Sequence, residues 1–401
     1  MAPASPASSE PAGSAGPHRP SEPSPASGTG LRFPEDVPVL SDGLVTLRAH
    51  REDDIDRVIE QCTDPVSIAW TVVPVPYGRE QAVEFVRTLV PAGWRDGSDL
   101  HLAIEYEGRF AGSAGLRPDS HGSAEVAYGL HPDARGRGVT VRAVQLLLDW
   151  AFAERGHSVV TWRAAVGNWP SRRVAWAAGF QFGPMISRML VQRGVRHDTW
   201  TGWICAGEAR TPKTRWLEVP VLENDTLRLR AWTDDDGDRL VEASNDPRLR
   251  QFIPHSPLPH TTAHVPAYLM RLQQAASEGI RLSWCVADRD TNEALGNVGL
   301  FDFEADGSAQ LGYWAHPKAR GQGVLSQAAR MVADWALMPE PDGFGLRRLY
   351  LFAAVSNAAS RRVAEKAGFT HVGTERQAAP VGPAYEDNAV YDRLAEDPAT
   401  R

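Results

Sequence analysis

Apolar positions mark out one pattern that runs through the chain and then starts again. LVTLRA, Leu44 to Ala49, alternates like a half-buried strand, and Arg51 to Cys62 has helical spacing with acidic residues in its first turn. Two prolines make Thr71 to Tyr77 a loop, and Glu80 to Val90 is a second helix. A hairpin follows, Leu100 to Tyr106 and Phe110 to Leu116 around Glu107-Gly108, then a strand from Glu125 to Leu130. A glycine-spaced turn, Arg135-Gly136-Arg137-Gly138, leads into a helix whose Val144, Leu147, Leu148 and Ala151 share one face. Val159 to Val166 is a strand, and Ser171 to Ala178 is a short helix stopped by Gly179. Met185 to Val191 and His197 to Ile204 form a closing hairpin.

The same order then recurs. TLRLRA at Thr226 answers the opening strand, and Asn245-Asp246-Pro247 answers Thr63-Asp64-Pro65. HPKARGQGVLSQAARMVADWAL from His316 answers HPDARGRGVTVRAVQLLLDWAF from His131. NAASRRVAEKAGF from Asn357 answers NWPSRRVAWAAGF from Asn168. A repeat this long is a duplicated domain, not a solenoid, whose periods are far shorter. The expected division is a Pro/Ser/Ala/Gly-rich disordered tail at 1–33, a domain at 34–206, a linker at 207–220 and a second domain at 221–398.

Composition narrows the partners. A net charge of −8 disfavours nucleic acid and mildly favours amine substrates. The three cysteines, Cys62, Cys205 and Cys285, are scattered, with neither disulfide nor metal-ligand spacing. No apolar run has membrane-spanning length and no leader opens the chain, so no membrane partner and a cytoplasmic setting are expected, as a monomer or homodimer.

Strand, glycine turn and helix start make an anion site from backbone N–H groups and the helix dipole, so both turns read as pyrophosphate cradles. The third glycine of a dinucleotide fold and the Gly-Lys-Ser/Thr of a P-loop are both missing. Arg135-x-x-Gly138-x-Thr140 and Arg320-x-x-Gly323-x-Leu325 resemble motif A of the GNAT superfamily of acyl-CoA N-acyltransferases, and the chain is similar in particular to the RimJ/RimL ribosomal-protein N-terminal acetyltransferases. Glu125-Val126-Ala127-Tyr128, Asn168, Ser171, Val174, Gly179-Phe180 and Asp198 carry the resemblance in the first copy. Gln310 to Trp314, Asn357, Ser360, Val363, Gly368-Phe369 and Asp387 carry it in the second.

The resemblance implies an α+β, three-layer αβα fold in two tandem domains. Each has a mixed, mostly antiparallel sheet flanked by helices and a V-shaped splay between two central strands that receives acetyl-CoA. Leu130 and Ala315 would pair with its pantetheine arm. The turns Arg135, Gly136, Arg137, Gly138, Val139, Thr140 and Arg320, Gly321, Gln322, Gly323, Val324, Leu325 would hold its pyrophosphate. Asn168 and Asn357 would bond the arm.

Acetyl transfer to an amine needs a base for the amine and an acid for the leaving thiolate. Glu125 is the candidate base, with a surface ion-pair partner as its plainer reading; the second copy has Gln310, which cannot act as a base. The tyrosine many family members use as acid is replaced by Ala175 and Ala364, so Ser171 and Ser360 are the candidate acids, or else only helix caps. Asp198 and Asp387 position substrate or bond their turn, and His131 and His316 act as general bases or, more plainly, end strands before proline. Thr140 is a small departure from the motif and Leu325 a larger one, so the first domain is expected to be the main catalyst. The acceptor is a primary amine, either a small molecule, favoured because tandem domains crowd a protein acceptor, or a protein N-terminus. A non-catalytic acyl-CoA-binding tandem is the competing class.

Overall fold

The computed structural model describes residues 37–254 and 258–397; the tail assigned to residues 1–33 lies outside the described residues. The described residues divide into two compact units, residues 37–163 with 184–207, and residues 164–183 with 208–397.

In the first unit, β1 (Leu40–Ser41) and β2 (Val45–Arg48) are followed by α1 (Ile55–Thr63), α2 (Pro65–Trp70), α3 (Arg79–Glu84) and α4 (Val90–Asp96). A π-helical turn at Phe85–Leu89 joins α3 to α4. Pro91 lies one residue inside α4; its missing N–H cannot close an α-helical bond to the turn before, and the wider turn accommodates it. Strands β3 (Leu100–Tyr106), β4 (Arg109–Pro118) and β5 (Ser123–Leu130) form an antiparallel meander, and α5 (Val139–Ala153) crosses over to β6 (Val159–Ala165), parallel to β5. The segment 164–183 carries α6 (Trp169–Ala177) and β7 (Gln181–Phe182). Strands β8 (Ile186–Gln192) and β9 (Val195–Cys205) are the closing hairpin. The buried face of α5 holds Val144, Leu147, Leu148 and Ala151, all fully buried, as the helical period requires. On the opposite face of the sheet, Ile55, Val58, Cys62, Ala82 and Val86 pack on Ala103 and Phe110.

The second unit repeats this plan with β10 (Leu222–Glu223), β11 (Leu227–Arg230), α7 (Gly237–Ser244), α8 (Pro247–Phe252), α9 (Val265–Ser277), β12 (Arg281–Asp288), β13 (Ala294–Phe301), β14 (Ser308–Ala315), α10 (Val324–Leu337), β15 (Arg348–Ala354), α11 (Ala358–Lys366), β16 (Thr370–Val381) and β17 (Ala384–Leu394). Its sheet order is β10-β11-β12-β13-β14-β15-β17-β16. The core side of α10 is Ala328, Ala329, Val332, Ala333 and Ala336, small residues that let the helix lie close on Trp284, Val298 and Leu311. Segment 164–183 is fixed within this unit by Arg172, which is buried. Its guanidinium is ion-paired with Glu278, donates to Ser277 Oγ at 3.1 Å and lies 3.9 Å over the Phe182 ring. Among the described residues no helix is long and apolar enough to cross a membrane, and no group of His, Cys, Asp or Glu is placed to hold a metal ion.

Candidate active site

The site in each unit begins where two parallel strands part. β5 and β6 pair through Ser123↔Val159, Ala124↔Val160 and Glu125↔Thr161, and no further, although β5 runs on to Leu130 and β6 to Ala165. β14 and β15 repeat this through Ser308↔Arg348, Ala309↔Leu349 and Gln310↔Tyr350. Beyond the third pair, Val126 to Leu130 and Leu311 to Ala315 are bonded to a neighbouring strand on one side only. The other side is a strand edge with backbone donors and acceptors facing a cleft, which suits an extended ligand rich in amides. Glu125 and Gln310 stand at the apex.

At the far end of each open edge the chain turns into the long helix. Gly136 and Gly138 have φ of 75°, and Gly321 and Gly323 have φ of 76°. This left-handed conformation is one that only glycine adopts without strain. A Cβ built on any of the four meets no atom within 4 Å, so the glycines border open space that a side chain would enter. Gly138 and Gly323 are the N-caps of α5 and α10, and the first N–H groups of those helices have no partner within the helix. Backbone donors, dipole and open space together fit a diphosphate. Thr140 and Leu325 follow in the first helical turn. Leu325 does not alter the glycine conformations; its Cδ2 lies 3.4 Å from where a Gly296 Cβ would stand, so the side chain packs toward β13.

The motif arginine is committed elsewhere. Arg135 Nη2 donates to Asp64 at 2.6 Å, to Ser67 Oγ at 3.0 Å and to the Leu130 carbonyl at 3.2 Å. Arg320 makes the corresponding pair with Asp246, Nη1 donating to Oδ1 at 3.3 Å and Nη2 to Oδ2. Burial opposes the charge on Asp64, but bonds from Arg135 and the Ser67 N–H outweigh it and hold the carboxyl below its ordinary value. The Arg320 bond does the same for Asp246 against burial. The role of these two aspartates was missed in the sequence, although their Asp-Pro dipeptide recurs in both copies.

Glu125 is ion-paired with Arg163 on β6. Two strand positions past the last β14–β15 pair, the second unit has Phe352 where the first has Arg163. Asn357 Oδ1 accepts the Ser360 N–H at 3.1 Å and Asn168 Oδ1 accepts that of Ser171 at 3.2 Å. Each oxygen is thereby committed to a helix cap, and Nδ2 is the end with hydrogens to offer a ligand. Ser360 Oγ donates to Tyr313 Oη at 3.2 Å, and Tyr313 Oη donates to the Ser360 carbonyl at 2.9 Å. Burial pushes the Tyr313 phenol well up, so it stays protonated. Ala175 and Ala364 are buried core residues.

Asp198 and Asp387 hold the hairpins. Asp198 Oδ1 accepts from Ser187 Oγ at 2.8 Å and from the Arg188 N–H at 2.9 Å; Asp387 Oδ1 accepts the Gln377 N–H at 2.9 Å. Arg188 and Gln377 have φ of 54° and 53° inside bulges of β8 and β16, so each aspartate pins the one strained residue of its bulge. His131 is locked between Asp133 at 2.7 Å and Glu60 at 2.9 Å, and His316 lies 3.2 Å from Glu242. Both rings are buried structural partners.

The family model described as an acetyltransferase (GNAT) domain matches residues 45–181 and again 226–370. The uncharacterized N-acetyltransferase YoaA of Bacillus subtilis is 27% identical over 177 residues, 43% of this chain and 93% of that protein. The ribosomal-protein-serine acetyltransferase of Escherichia coli is 33% identical over 90 residues, 22% of this chain and 48% of that protein. The solved structure of Mycobacterium smegmatis RimJ in complex with CoA-disulfide is 21% identical, covering 44% of this chain and 87% of that one, with a TM-score of 0.39.

Proposed function

The chain belongs to the GNAT acetyltransferase family in both halves and is an acetyl-CoA-dependent N-acetyltransferase; on that premise we propose that it acetylates a small-molecule primary amine, with the first unit as the main catalyst and the second holding acyl donor with little or no turnover. The observation that carries the reading is the splay together with the glycine turn, present in both units, while the apex residue is Glu125 in one and Gln310 in the other.

The donor supplies an activated acyl carbon on a thiol leaving group. The open edges at Val126 to Leu130 and Leu311 to Ala315 would align its pantetheine amides, Asn168 and Asn357 would each donate to that arm, and residues 135–140 and 320–325 would bind the diphosphate. An N–C bond forms as the C–S bond breaks. The proton lost by the amine goes to Glu125, directly or through one water, which requires the Arg163 contact to yield. The thiolate would take a proton from a hydroxyl, for which Ser360, bonded to Tyr313, and its counterpart in the repeat, Ser171, are the candidates. Glutamine at 310 leaves the second unit without the base. An acidic chain, at −8, draws protonated amines toward it.

A protein N-terminus is the second reading, favoured by the relative named for ribosomal-protein acetylation. Thiol release from acetyl-CoA with a panel of small amines and of free-N-terminal peptides separates the two. Glu125→Gln is expected to lower kcat by about 10²-fold or more, in the usual range for losing a general base, and Gly323→Glu to spare turnover while removing one bound CoA. If only Gly323→Glu abolishes turnover, the units are assigned the wrong way round. Tight CoA binding with no turnover on any amine would make the chain a binding module.

A further inference from the structure

The strand registers align the side chains around the two apices position by position. Arg117↔Glu125 and Glu125↔Thr161 in the first unit answer Phe301↔Gln310 and Gln310↔Tyr350 in the second. Two residues past the apex pair on the same face, Arg163 answers Phe352. In the first unit this face is ionic: Arg117 Nε donates to Asp99 Oδ2 at 3.1 Å, and Arg163 is paired with Glu125. In the second it is aromatic. The Tyr350 and Phe352 rings meet edge to face with centroids 5.6 Å apart. Phe301 lies over Gly312, where a Cβ would stand 2.9 Å from its Cε1. The first unit has Ala127 in that register, so glycine on β14 and the ring upon it go together. Phe301, Gln310, Tyr350 and Phe352 are all half-buried, whereas Leu300, Leu311, Leu349 and Leu351, which alternate with them, are buried on the other face. The rings are thus left partly open at the point where β14 and β15 part. The guanidiniums of Arg281 and Arg348 already lie over Phe301, at 4.8 Å, and Tyr350, at 5.6 Å, places that an ammonium ion would otherwise take.

Resting on the acetyl-CoA site described above for the second unit, we propose that this unit acetylates aromatic amines. An alkylamine is protonated at neutral pH and must lose a proton before it attacks, which is the task given to Glu125 in the first unit. An amine bonded directly to an aromatic ring shares its lone pair with that ring, is far less basic and is already neutral. It needs no carboxylate, and Gln310 Oε1 can still accept one of its N–H bonds. Phe301, Tyr350 and Phe352 offer its ring aromatic partners. The nitrogen lone pair forms the N–C bond as the C–S bond breaks, and the proton shed by nitrogen ends on the departing sulfur. The exchange of a carboxylate for an amide, and of Arg117 and Arg163 for two phenylalanines, is then a single change of substrate class. The low turnover assigned to this unit holds for basic amines.

Aniline and benzylamine carry the same ring and differ in whether the nitrogen is protonated at neutral pH, so thiol release from acetyl-CoA with each, in the whole chain, tests this. Aniline turnover is expected to stay within about threefold in Glu125→Gln, to be lost in Gly323→Glu, and to be flat from about pH 6 to 9, since no base takes part. In the Glu125→Gln background aniline should exceed benzylamine by about tenfold or more. Phe352→Arg, which installs the first unit's residue, should raise KM for aniline about tenfold with little change in kcat, and Phe352→Tyr should leave it unchanged. Circular dichroism melting establishes that each variant is folded; should Phe352→Arg unfold, Phe352→Leu, which keeps an apolar side chain without the ring, is read in the same way. If Glu125→Gln releases no thiol with aniline, or as much with benzylamine, or if KM for aniline ignores residue 352, the proposal is overturned while the acetyl-CoA site stands. If calorimetry finds as much CoA bound to Gly323→Glu as to the wild type, the second acetyl-CoA site itself fails, and the proposal with it.

Discussion

Replacing Gly138 by alanine separates the two demands placed on the glycine turn. At φ 75° an L-residue costs about 1–2 kcal/mol, and the lower entropy of the unfolded chain returns about 0.4–1 kcal/mol. The net loss, at most about 1.6 kcal/mol, should lower the melting temperature by a few degrees, since 1 kcal/mol moves a unit of this size by about 2–4 °C. Gly122 supplies the control: it has φ 83°, and a Cβ there also meets nothing within 4 Å, but it lies in the turn before β5, at the closed end of the splay. Gly122→Ala should cost the same stability. Only Gly138→Ala places a methyl group where the diphosphate must approach backbone N–H groups. Hydrogen bonds to a charged group contribute about 1.5–3 kcal/mol each, so losing one weakens CoA about tenfold to a hundredfold. Titration calorimetry in a Gly323→Glu background, which silences the second turn, reads the first site alone. Equal CoA affinity in the two alanine variants would refute the cradle, and so would equal loss.

His50 should make the first unit acid-labile. Burial, then the nearby His101, depress its ring to about 3 from an ordinary 6.5, against the attraction of Asp54. The unfolded chain thus binds the proton first, and stability falls as pH drops from about 6.5 toward 3, by up to about 1.4 kcal/mol per pH unit. Denaturant midpoints of wild type and His50→Gln across that range should diverge; parallel curves would show that the ring is not held neutral. In the second unit, Tyr313→Phe leaves the Ser360 carbonyl without its phenol donor and should cost about 1–3 kcal/mol, whereas Ser360→Ala keeps the backbone cap and should cost about 0.5–1.5 kcal/mol. Urea unfolding checks the order of the two, and the reverse order would mean that the carbonyl is satisfied another way.

Local and repeated features were legible in the sequence. The α5 face, the restart of the pattern and the glycine turns depend on spacing within one element, and periodicity reads one element at a time. What was not legible depends on partners far along the chain. Nothing near Arg135 says that it would reach Asp64 at 2.6 Å, nor near Glu125 that Arg163 would lie against it. Glu80 to Val90 read as one helix; the segment runs on to Asp96 through a π turn, because Pro91 is tolerated only by widening the helix before it. Asp198 and Asp387 were left between substrate and turn, and the strained φ of Arg188 and Gln377 is visible only in the backbone.

The two units differ in a way that bears on why both persist in one chain. The backbone devices are the same in each: glycine φ values within a degree, strands parting after the third pair, an asparagine cap, an aspartate on the bulge, an arginine on the Asp-Pro helix. The differences gather in side chains around the splayed strands. Glu125 with Arg163 gives way to Gln310 with Phe352. The His50–Ser113 contact at 3.0 Å gives way to Trp232 donating to Asn297 at 2.9 Å. The glycines themselves do not separate the units by function, since a left-handed turn requires glycine whatever it binds, as it does at Gly122. What separates them is the apex, a carboxylate in one and an amide in the other, so a CoA titration of Gly323→Glu beside the turnover of Glu125→Gln tells apart what each unit binds from what each unit catalyses.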